Sequence, residues 1–244
     1  MDKVLYVAEV GSLHKGNLAL ACEFIRQYAA AGADIVKFQF GWNSTIEHDL
    51  GIAPNPIRYI THWASDSTAV SDHYGVELMA SIFSEDGLRA ARGIGMKRYK
   101  FAHQMLHHEA LIDEAIADGK TTYISMSDIK YGFSSPKSFY AIYTQEQYPV
   151  LPIRGRQGLQ LPYSGFTKFY GFSDHSLGIG ASLLAVAMGA RYIEKHVCLD
   201  KTDLATRDTT FALLPNEFKQ LVESGREIER AKDINRGELI VTNG

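Results

Sequence analysis

Short runs of β-branched and aromatic residues alternate along the chain with longer segments whose apolar positions recur at helical spacing. The strand-like runs are 4–10, 35–40, 77–83, 98–102, 121–126, 139–144, 168–173 and 191–197. The helix-like segments are 18–31, 57–74, 86–93, 108–117, 177–189 and 215–232. Eight strands that mostly alternate with helices over roughly 230 residues are typical of a TIM barrel. We therefore predict a single α/β domain over residues 1–232, folded as a (β/α)8 TIM barrel.

The segments after the fifth and sixth predicted strands interrupt this pattern. Residues 127–138 and 149–165 are rich in Ser, Gly and Pro, which indicates little helix. A miscount of two strands in this region would leave an open, doubly wound sheet as the alternative. The sequence contains no glycine fingerprint for a dinucleotide, and residues 233–244 are predicted to form a short tail.

Composition narrows the classes of function. The formal net charge is −3, and Lys and Arg are spread along the 244 residues, so we expect no nucleic-acid partner and no membrane partner. Cys22 and Cys198 lie far apart in apolar runs, which suits a reducing compartment. The amino terminus has no signal-peptide pattern, and the longest apolar run is too short to cross a bilayer. We expect a cytoplasmic protein.

Polar residues collect where the predicted strands end. In a barrel, catalytic side chains come from the carboxyl ends of several strands. Those ends carry Glu9, Lys37, Gln39, Ser81, Lys100, Ser125, Ser173, Asp174, His175, Glu194 and His196. Lys37 and Lys100 stand between aromatic and aliphatic neighbours, where a buried ammonium group needs a partner. The pattern therefore predicts either salt bridges in the barrel mouth or an anionic ligand.

Two histidines end the last two strands. His175 and His196, with Glu9 across the barrel, form a donor set that suits one divalent metal. The alternative for each histidine is a packed core or rim residue. Asp174 has two interpretations of equal weight, a functional group or a structural cap for the following helix.

Other ionisable residues near the strand ends are less informative. Glu194 and Lys195 are neighbours on opposite faces of one strand, so at most one of them points inward. His103, His107 and His108 are loosely spaced as in a helix, and we interpret them as surface or packing residues, although His103 lies just beyond a strand end.

Six segments in order resemble the sialic acid synthase family. They are residues 8–16 (AEVGSLHKG), 36–39 (VKFQ), 81–84 (SIFS), 99–100 (YK), 172–178 (FSDHSLG) and 193–196 (IEKH). The resemblance implies a metal-dependent, carbon–carbon bond-forming transferase on a TIM barrel. Members of this family condense phosphoenolpyruvate with an N-acetylated amino sugar, typically N-acetylmannosamine or a relative, and release phosphate. The product is a nonulosonic, sialic-acid-like sugar acid.

The resemblance also implies roles for individual residues. His175 and His196 would be metal ligands, with Mn²⁺ or Mg²⁺ expected and Co²⁺ or Zn²⁺ as alternatives. Glu9 would lie beside the reacting centre and, with the two histidines, take part in catalysis. The substrate-binding positions would be Lys37, Gln39, Ser81, Lys100, Ser125, Ser173, Asp174 and Asp208. The expected partners are phosphoenolpyruvate, a sugar aldehyde and a second copy of the chain in a homodimer.

Several positions depart from the family pattern. Leu13 replaces an Asn, residues 102–105 (AHQM) replace a Gly-Ser-Gly-Glu-like run, and residues 126–128 (MSD) replace the Thr-Gly-Met that normally follows the serine. Glu146 stands where an Asn is expected before Tyr148 and Pro149. A carboxylate there would repel a phosphate unless His103 or another cation compensates.

The carboxyl-terminal region departs as well. Family members carry a small antifreeze-like domain after the barrel, which reaches across a dimer to the sugar, and we expect this chain to lack it. Residues 231–240 resemble the opening of that domain. They are either a remnant of it or an ordinary tail, so the sugar-binding half of the site is the altered half.

Two other functions remain open from the sequence. One is Schiff-base aldolase chemistry through Lys37 or Lys100, with the histidines as acid and base. The other is a non-catalytic homologue that has kept a metal or ligand site.

Overall fold

The computed structural model describes residues 3–40, 66–128, 139–151, 158–203 and 207–234. Its eight strands are all parallel and close into a barrel in sequence order, with the last strand paired to the first. The strands are β1 (Leu5–Gly11), β2 (Ile35–Phe40), β3 (Glu77–Ile82), β4 (Arg98–Phe101), β5 (Thr121–Met126), β6 (Tyr140–Thr144), β7 (Gly171–Asp174) and β8 (Tyr192–His196). The predicted (β/α)8 barrel is confirmed, and the open-sheet alternative is wrong.

The helices lie between the strands and after the last one. They are α1 (Leu18–Ala30), α2 (residues 66–74), α3 (Glu85–Gly93), α4 (Glu109–Ala117), α5 (Gly180–Ala187) and α6 (Pro215–Ile234), with 3₁₀ turns at His103–His107 and Arg207–Thr210. Side chains fix two of the starts. Asn17 accepts a hydrogen bond from the Leu20 N–H, and Ser84 accepts one from the Gly87 N–H, so both act as N-caps.

Most predicted boundaries agree with the structure to within one or two residues. β7 begins three residues later than predicted because its pairing with β6 covers only residues 142–144 of that strand. α5 also begins three residues late, at Gly180. Residues 158–165 contain no helix, as expected, whereas 57–65, 129–138 and 152–157 lie outside the described residues. The last helix extends two residues into the predicted tail, and the rest of that tail, 235–244, is also outside them.

Two apolar layers support the barrel. The inner layer fills the barrel with Val7, Ile35, Met79, Tyr123, Ile142 and Tyr192. The outer layer lies between the strands and the helices, where Phe218 and Leu221 of α6 are fully buried. Because side chains alternate along each strand, the inner layer ends just below the polar residues at the carboxyl ends of the strands.

The register brings those polar residues to similar heights. Glu9 is paired with Lys37 on one side and with His196 on the other. Ser81 is paired with both Gln39 and Lys100. The residues that reach the barrel mouth thus come from strands that are far apart in sequence and adjacent in space. None of the helices in the described ranges combines the length and the apolar character needed to cross a membrane.

One glycine tests the fit between β7 and β8. A Cβ atom on Gly171 would overlap the backbone oxygen and the Cβ of Tyr192. We expect Gly171→Ala to lower the free energy of unfolding by about 3 kcal/mol, measured by urea denaturation, because backbone atoms cannot move aside cheaply. Gly93→Ala is the matched control, since a Cβ there meets no atom within 4 Å. It should leave the free energy unchanged or raise it by up to about 1 kcal/mol.

Candidate active site

The carboxyl ends of the strands surround a small pocket, with room for water-sized atoms of about 60 Å³. It is lined by Glu9, Lys37, Gln39, Ser81, Phe83, Lys100, Ala102, His103, Ser125, Thr144, Tyr148, Ser173, His175, Glu194 and His196. Of the predicted site residues, all but Asp174 and Asp208 are among these. The pocket therefore brings together residues from all eight strands or the segments that directly follow them.

Lys37 connects residues of three other strands at one side of the pocket. Its ammonium group lies 2.5 Å from Glu9 Oε2, 2.5 Å from Ser81 Oγ and 3.6 Å from Glu194 Oε2. Burial opposes the charge, but Glu194 and Glu9 raise the pKa of Lys37. Lys37 is therefore a buried cation with two acidic partners.

Lys100 is less well compensated. It donates hydrogen bonds to Ser125 Oγ (2.6 Å) and to the Phe101 carbonyl (3.3 Å), and its nearest carboxylate oxygen, on Glu194, is 3.9 Å away. Burial, opposed in part by Glu194, lowers the pKa of Lys100 to about 8. A buried ammonium group with one distant counter-charge is suited to receive an anion.

Glu194 lies between the two lysines. It accepts hydrogen bonds from Ser173 (2.9 Å) and from the Tyr192 hydroxyl. Burial opposes its ionisation, yet Lys100 and Lys37 hold the pKa of Glu194 well below its usual range. Glu194 is thus ionised, and it points into the barrel while Lys195 points out, which confirms that only one of this pair faces inward.

Glu9 has the opposite balance. Burial raises the pKa of Glu9, Lys37 lowers it and Glu194 raises it, so that the net shift is upward. Its Oε1 accepts a hydrogen bond from the Gln39 side chain at 3.2 Å. A carboxyl group with a raised pKa at the edge of a pocket is a candidate for proton transfer.

The two histidines form the other end of the pocket. Their ring centroids are 5.3 Å apart, and the edge of Phe211 packs against both rings. Burial, reinforced by the neighbouring His196, holds the pKa of His175 well below its usual range, so this imidazole is neutral. Tyr148 lies over His175 with a centroid distance of 4.0 Å.

The donor types at the histidine end suit a divalent metal. His196 Nδ1 is buried without a hydrogen bond, and Asp208 Oδ2 lies 3.5 Å from it. Neutral imidazole is a common ligand for divalent metals, so the donor types fit. Within the described ranges, however, no three His, Cys, Asp or Glu residues are grouped closely enough to hold a metal by themselves. Two imidazoles are therefore the protein donors that this site offers.

Asp174 has a structural environment. Its carboxylate accepts hydrogen bonds from the Ser176 N–H (2.8 Å) and the Ser182 hydroxyl (2.6 Å), and it lies 3.1 Å from Lys195 Nζ. Both charged side chains are fully buried outside the pocket. Of the two interpretations of Asp174, these contacts favour the structural one, because they tie the end of β7 to α5 and Asp174 is not among the residues that line the pocket.

Three residues that depart from the family pattern meet at the pocket rim. Glu146 Oε1 lies 3.3 Å from His103 Nε2 and accepts a hydrogen bond from Ser127 at 3.0 Å. His103 lines the pocket, whereas His107 and His108 are exposed. His103 therefore faces the pocket, as its place just beyond a strand end allows, and the surface or packing interpretation applies to His107 and His108.

Sequence reasoning missed some pocket residues. Glu194 was placed at a strand end but given no role, because alternation alone could not decide between it and Lys195. Thr144 and Tyr148 line the pocket beside His175, and Thr144 Oγ1 lies 3.4 Å from His175 Nδ1. Their signal in the sequence is their place, Thr144 at the end of the sixth strand and Tyr148 just beyond it.

Several known proteins that this chain resembles belong to one class, the synthases of sialic-acid-like sugars. The NeuB family model matches residues 159–236, which include β7 and β8 with both histidines. The N,N'-diacetyllegionaminic acid synthase of Legionella pneumophila is 29% identical over 255 residues, covering 91% of this chain and 71% of that protein. The human N-acetylneuraminate-9-phosphate synthase is 27% identical, with 92% and 70% covered.

Most of the chain is thus similar to synthases of sialic-acid-like sugars. A pseudaminic acid synthase of Campylobacter jejuni is a further similar protein, 26% identical over 94% of this chain and 75% of its own length. Among solved structures, the N-acetylneuraminic acid synthetase of Leptospira borgpetersenii shares its fold, with a TM-score of 0.74 and 24% identity over 98% of this chain and 87% of the other.

The structural interpretation of Asp174 can be tested by stability. We expect Asp174→Asn to lower the free energy of unfolding by about 3–5 kcal/mol, because it leaves the buried Lys195 without its counter-charge. The measurement is urea denaturation at neutral pH. The double variant Asp174→Asn/Lys195→Met removes the unpaired charge and should regain much of the loss. A single variant as stable as the unmodified protein would contradict the structural role.

Proposed function

We propose that this protein is a phosphoenolpyruvate-dependent synthase that forms a 3-deoxy-ulosonic acid from the aldehyde of an aldose or amino sugar. The observation that carries the proposal is the composition of one pocket, in which two buried lysines with serine hydroxyls stand beside two buried histidines. The relatives named as legionaminic, pseudaminic and N-acetylneuraminate-9-phosphate synthases support the same class of reaction.

The lysine half of the pocket suits phosphoenolpyruvate. Lys37 and Lys100 supply positive charge for its phosphate and carboxylate. Ser81 and Ser125 accept hydrogen bonds from these lysines and keep their own hydroxyl protons as donors, whereas Ser173 donates to Glu194. Glu194 keeps the lysines close together without neutralising Lys100 fully. Fixed charges in a water-poor pocket stabilise the charge that develops during reaction without having to reorganise.

The reaction then requires that phosphoenolpyruvate add to the sugar aldehyde, that water add to the product of this step, and that phosphate leave. The methylene carbon of phosphoenolpyruvate bonds to the sugar aldehyde carbon, whose oxygen takes up a proton. Water adds to the resulting cationic carbon and loses a proton, and phosphate leaves with its bridging oxygen to yield the keto acid. Glu9, with its raised pKa and its place between Lys37 and Gln39, is our candidate for accepting the proton from that water.

The histidine half suits a divalent metal, with Mn²⁺ or Mg²⁺ expected and Co²⁺ or Zn²⁺ as alternatives. His175 and His196 would hold it, and Asp208 lies beside His196. A metal bound there supplies Lewis acidity to the sugar aldehyde. Thr144 contacts His175 Nδ1, and Phe211 packs nearly perpendicular to both imidazole rings, so these two residues help to orient the rings.

Lys100 supports a second candidate function. Its pKa of about 8 would leave part of the amine uncharged near neutral pH, as a Schiff-base aldolase requires. Borohydride trapping with pyruvate separates the two functions, because the condensing synthase forms no covalent adduct. A cytoplasmic location and a homodimer stay predictions from the sequence.

The metal assignment predicts a loss of both binding and turnover. His175→Ala and His196→Ala should each weaken Mn²⁺ binding at least about tenfold in calorimetry and abolish phosphate release from phosphoenolpyruvate with a panel of N-acetylated hexosamines and other aldoses. The exposed His107 provides the control variant His107→Ala, which should change neither. Full activity of both pocket variants would refute the assignment, and metal binding without phosphate release from any aldose would favour a non-catalytic homologue.

The lowered pKa of Lys100 predicts a pH dependence. Below about pH 8 the ammonium group is charged in the free protein, and as pH rises through 8 that charge is lost. Affinity for phosphoenolpyruvate should therefore fall by up to about tenfold per pH unit above 8, measured by calorimetry to about pH 9.5. Lys100→Met should bind weakly throughout and show a flat profile above pH 8. A flat profile in the unmodified protein would contradict the role of Lys100.

A further inference from the structure

The rim residues His103, Ser127 and Glu146 form a cluster that the resemblance does not assign. They come from the segments that follow β4, β5 and β6, and each is a residue type that departs from the family pattern at its position. Their side chains nevertheless contact one another: Ser127 Oγ lies 3.3 Å from His103 Nε2, and both contact Glu146 Oε1. Because these three side chains contact one another, we consider them as one functional group of residues.

The hydrogen bonds determine which group donates. The Ser127 hydroxyl has a single proton, and it is directed at Glu146 Oε1. Ser127 Oγ can then only accept from His103, so the proton of that contact is carried by His103 Nε2. Glu146 Oε1 therefore accepts from the Ser127 hydroxyl, and the imidazole Nε2 lies 3.3 Å from the same oxygen.

This arrangement differs from a nucleophilic triad. In a triad the carboxylate contacts one imidazole nitrogen and the hydroxyl contacts the other, so that the imidazole can take the hydroxyl proton. Here the carboxylate and the hydroxyl meet the same nitrogen, and the hydroxyl proton goes to the carboxylate. The cluster is built to hold a carboxylate and an imidazole together.

Its position relates it to the anion half of the pocket. Lys100 and Ser125 form one contact between the ends of β4 and β5, at 2.6 Å. His103 and Ser127 form a second contact between the same two chain segments, three and two residues further along. The second contact lies above the first, at the pocket rim, and a ligand held by Lys100 is adjacent to it. The imidazole lines the pocket, and its side chain is 23% exposed, whereas that of Glu146 is 59% exposed.

We propose that His103 is a positioning residue for phosphoenolpyruvate binding, which together with Ser127 holds the Glu146 carboxylate away from the bound anion. The inference rests on the proposed function and adds a residue pair to it. A carboxylate near a bound phosphate or carboxylate repels it unless donors offset its charge. Loss of the imidazole should therefore weaken anion binding, because among the described residues the Glu146 carboxylate would keep the Ser127 hydroxyl as its one polar partner.

The matched pair makes a non-additive prediction. Calorimetric titration with phosphoenolpyruvate, with and without Mn²⁺, should show affinity at least about tenfold weaker in His103→Ala. The double variant His103→Ala/Glu146→Gln should recover to within about threefold of the unmodified protein, because the repelling charge is gone. His103→Gln keeps an N–H donor and should lie between the two. His107→Ala, on the same 3₁₀ turn but exposed, is the control and should bind normally.

Each outcome has a distinct meaning. If the unmodified protein binds phosphoenolpyruvate and His103→Ala binds equally well, the inference is overturned while the proposed function stands. If the double variant is as weak as His103→Ala, compensation of Glu146 is overturned. If the unmodified protein fails to bind phosphoenolpyruvate, the proposed function itself fails and this inference falls with it. Circular dichroism and thermal unfolding identify a variant that is misfolded, in which case His103→Gln decides.

Discussion

Burial of two ammonium groups at the mouth of the barrel is the constraint on which the site depends. Taking an ion out of water costs roughly several kcal/mol, so Lys37 and Lys100 persist there only with compensation. Glu194 provides most of it from the opposite side, 3.6 Å from Lys37 and 3.9 Å from Lys100. Glu9 completes the pairing of Lys37 alone, which leaves Lys100 the undercompensated member.

This imbalance connects structure with chemistry. A cluster in which every charge is paired would be a structural ion-pair network. Because Lys100 lacks a close counter-charge, this cluster can instead attract an anion. The same distribution sets the two carboxylates apart, since Glu194 is held ionised between cations while the pKa of Glu9 is raised. Divergent pKa values in one pocket are how a site obtains a fixed counter-charge and a proton acceptor from the same residue type.

The lysine and histidine ends of the pocket differ from its rim in how they are held. Lys37, Lys100 and His196 lie on strands, where backbone pairing fixes their positions, and His175 directly follows β7. The residues that depart from the family pattern, His103, Ser127 and Glu146, lie just past the strand ends. Rim segments after strands can change without disturbing the core, which is why barrels vary their ligands there.

The sequence by itself determined the barrel, the strand ends and most of the pocket residues. Hydrophobic periodicity and the polarity of strand ends are local properties, so they can be recognised in the sequence without the fold. It left Asp174 and Glu194 undecided. Asp174 lies outside the pocket against Lys195, and Glu194 lies inside between two lysines, although both sit at strand ends with a charged or polar neighbour.

Only the tertiary structure decided which way each carboxylate points, since that depends on strand register and on partners more than twenty residues away in the chain. The same holds for the contact of His103 with Glu146, which joins segments that follow two different strands. Pairing of buried charges is a non-local property, and closure of the barrel is what brings the partners together.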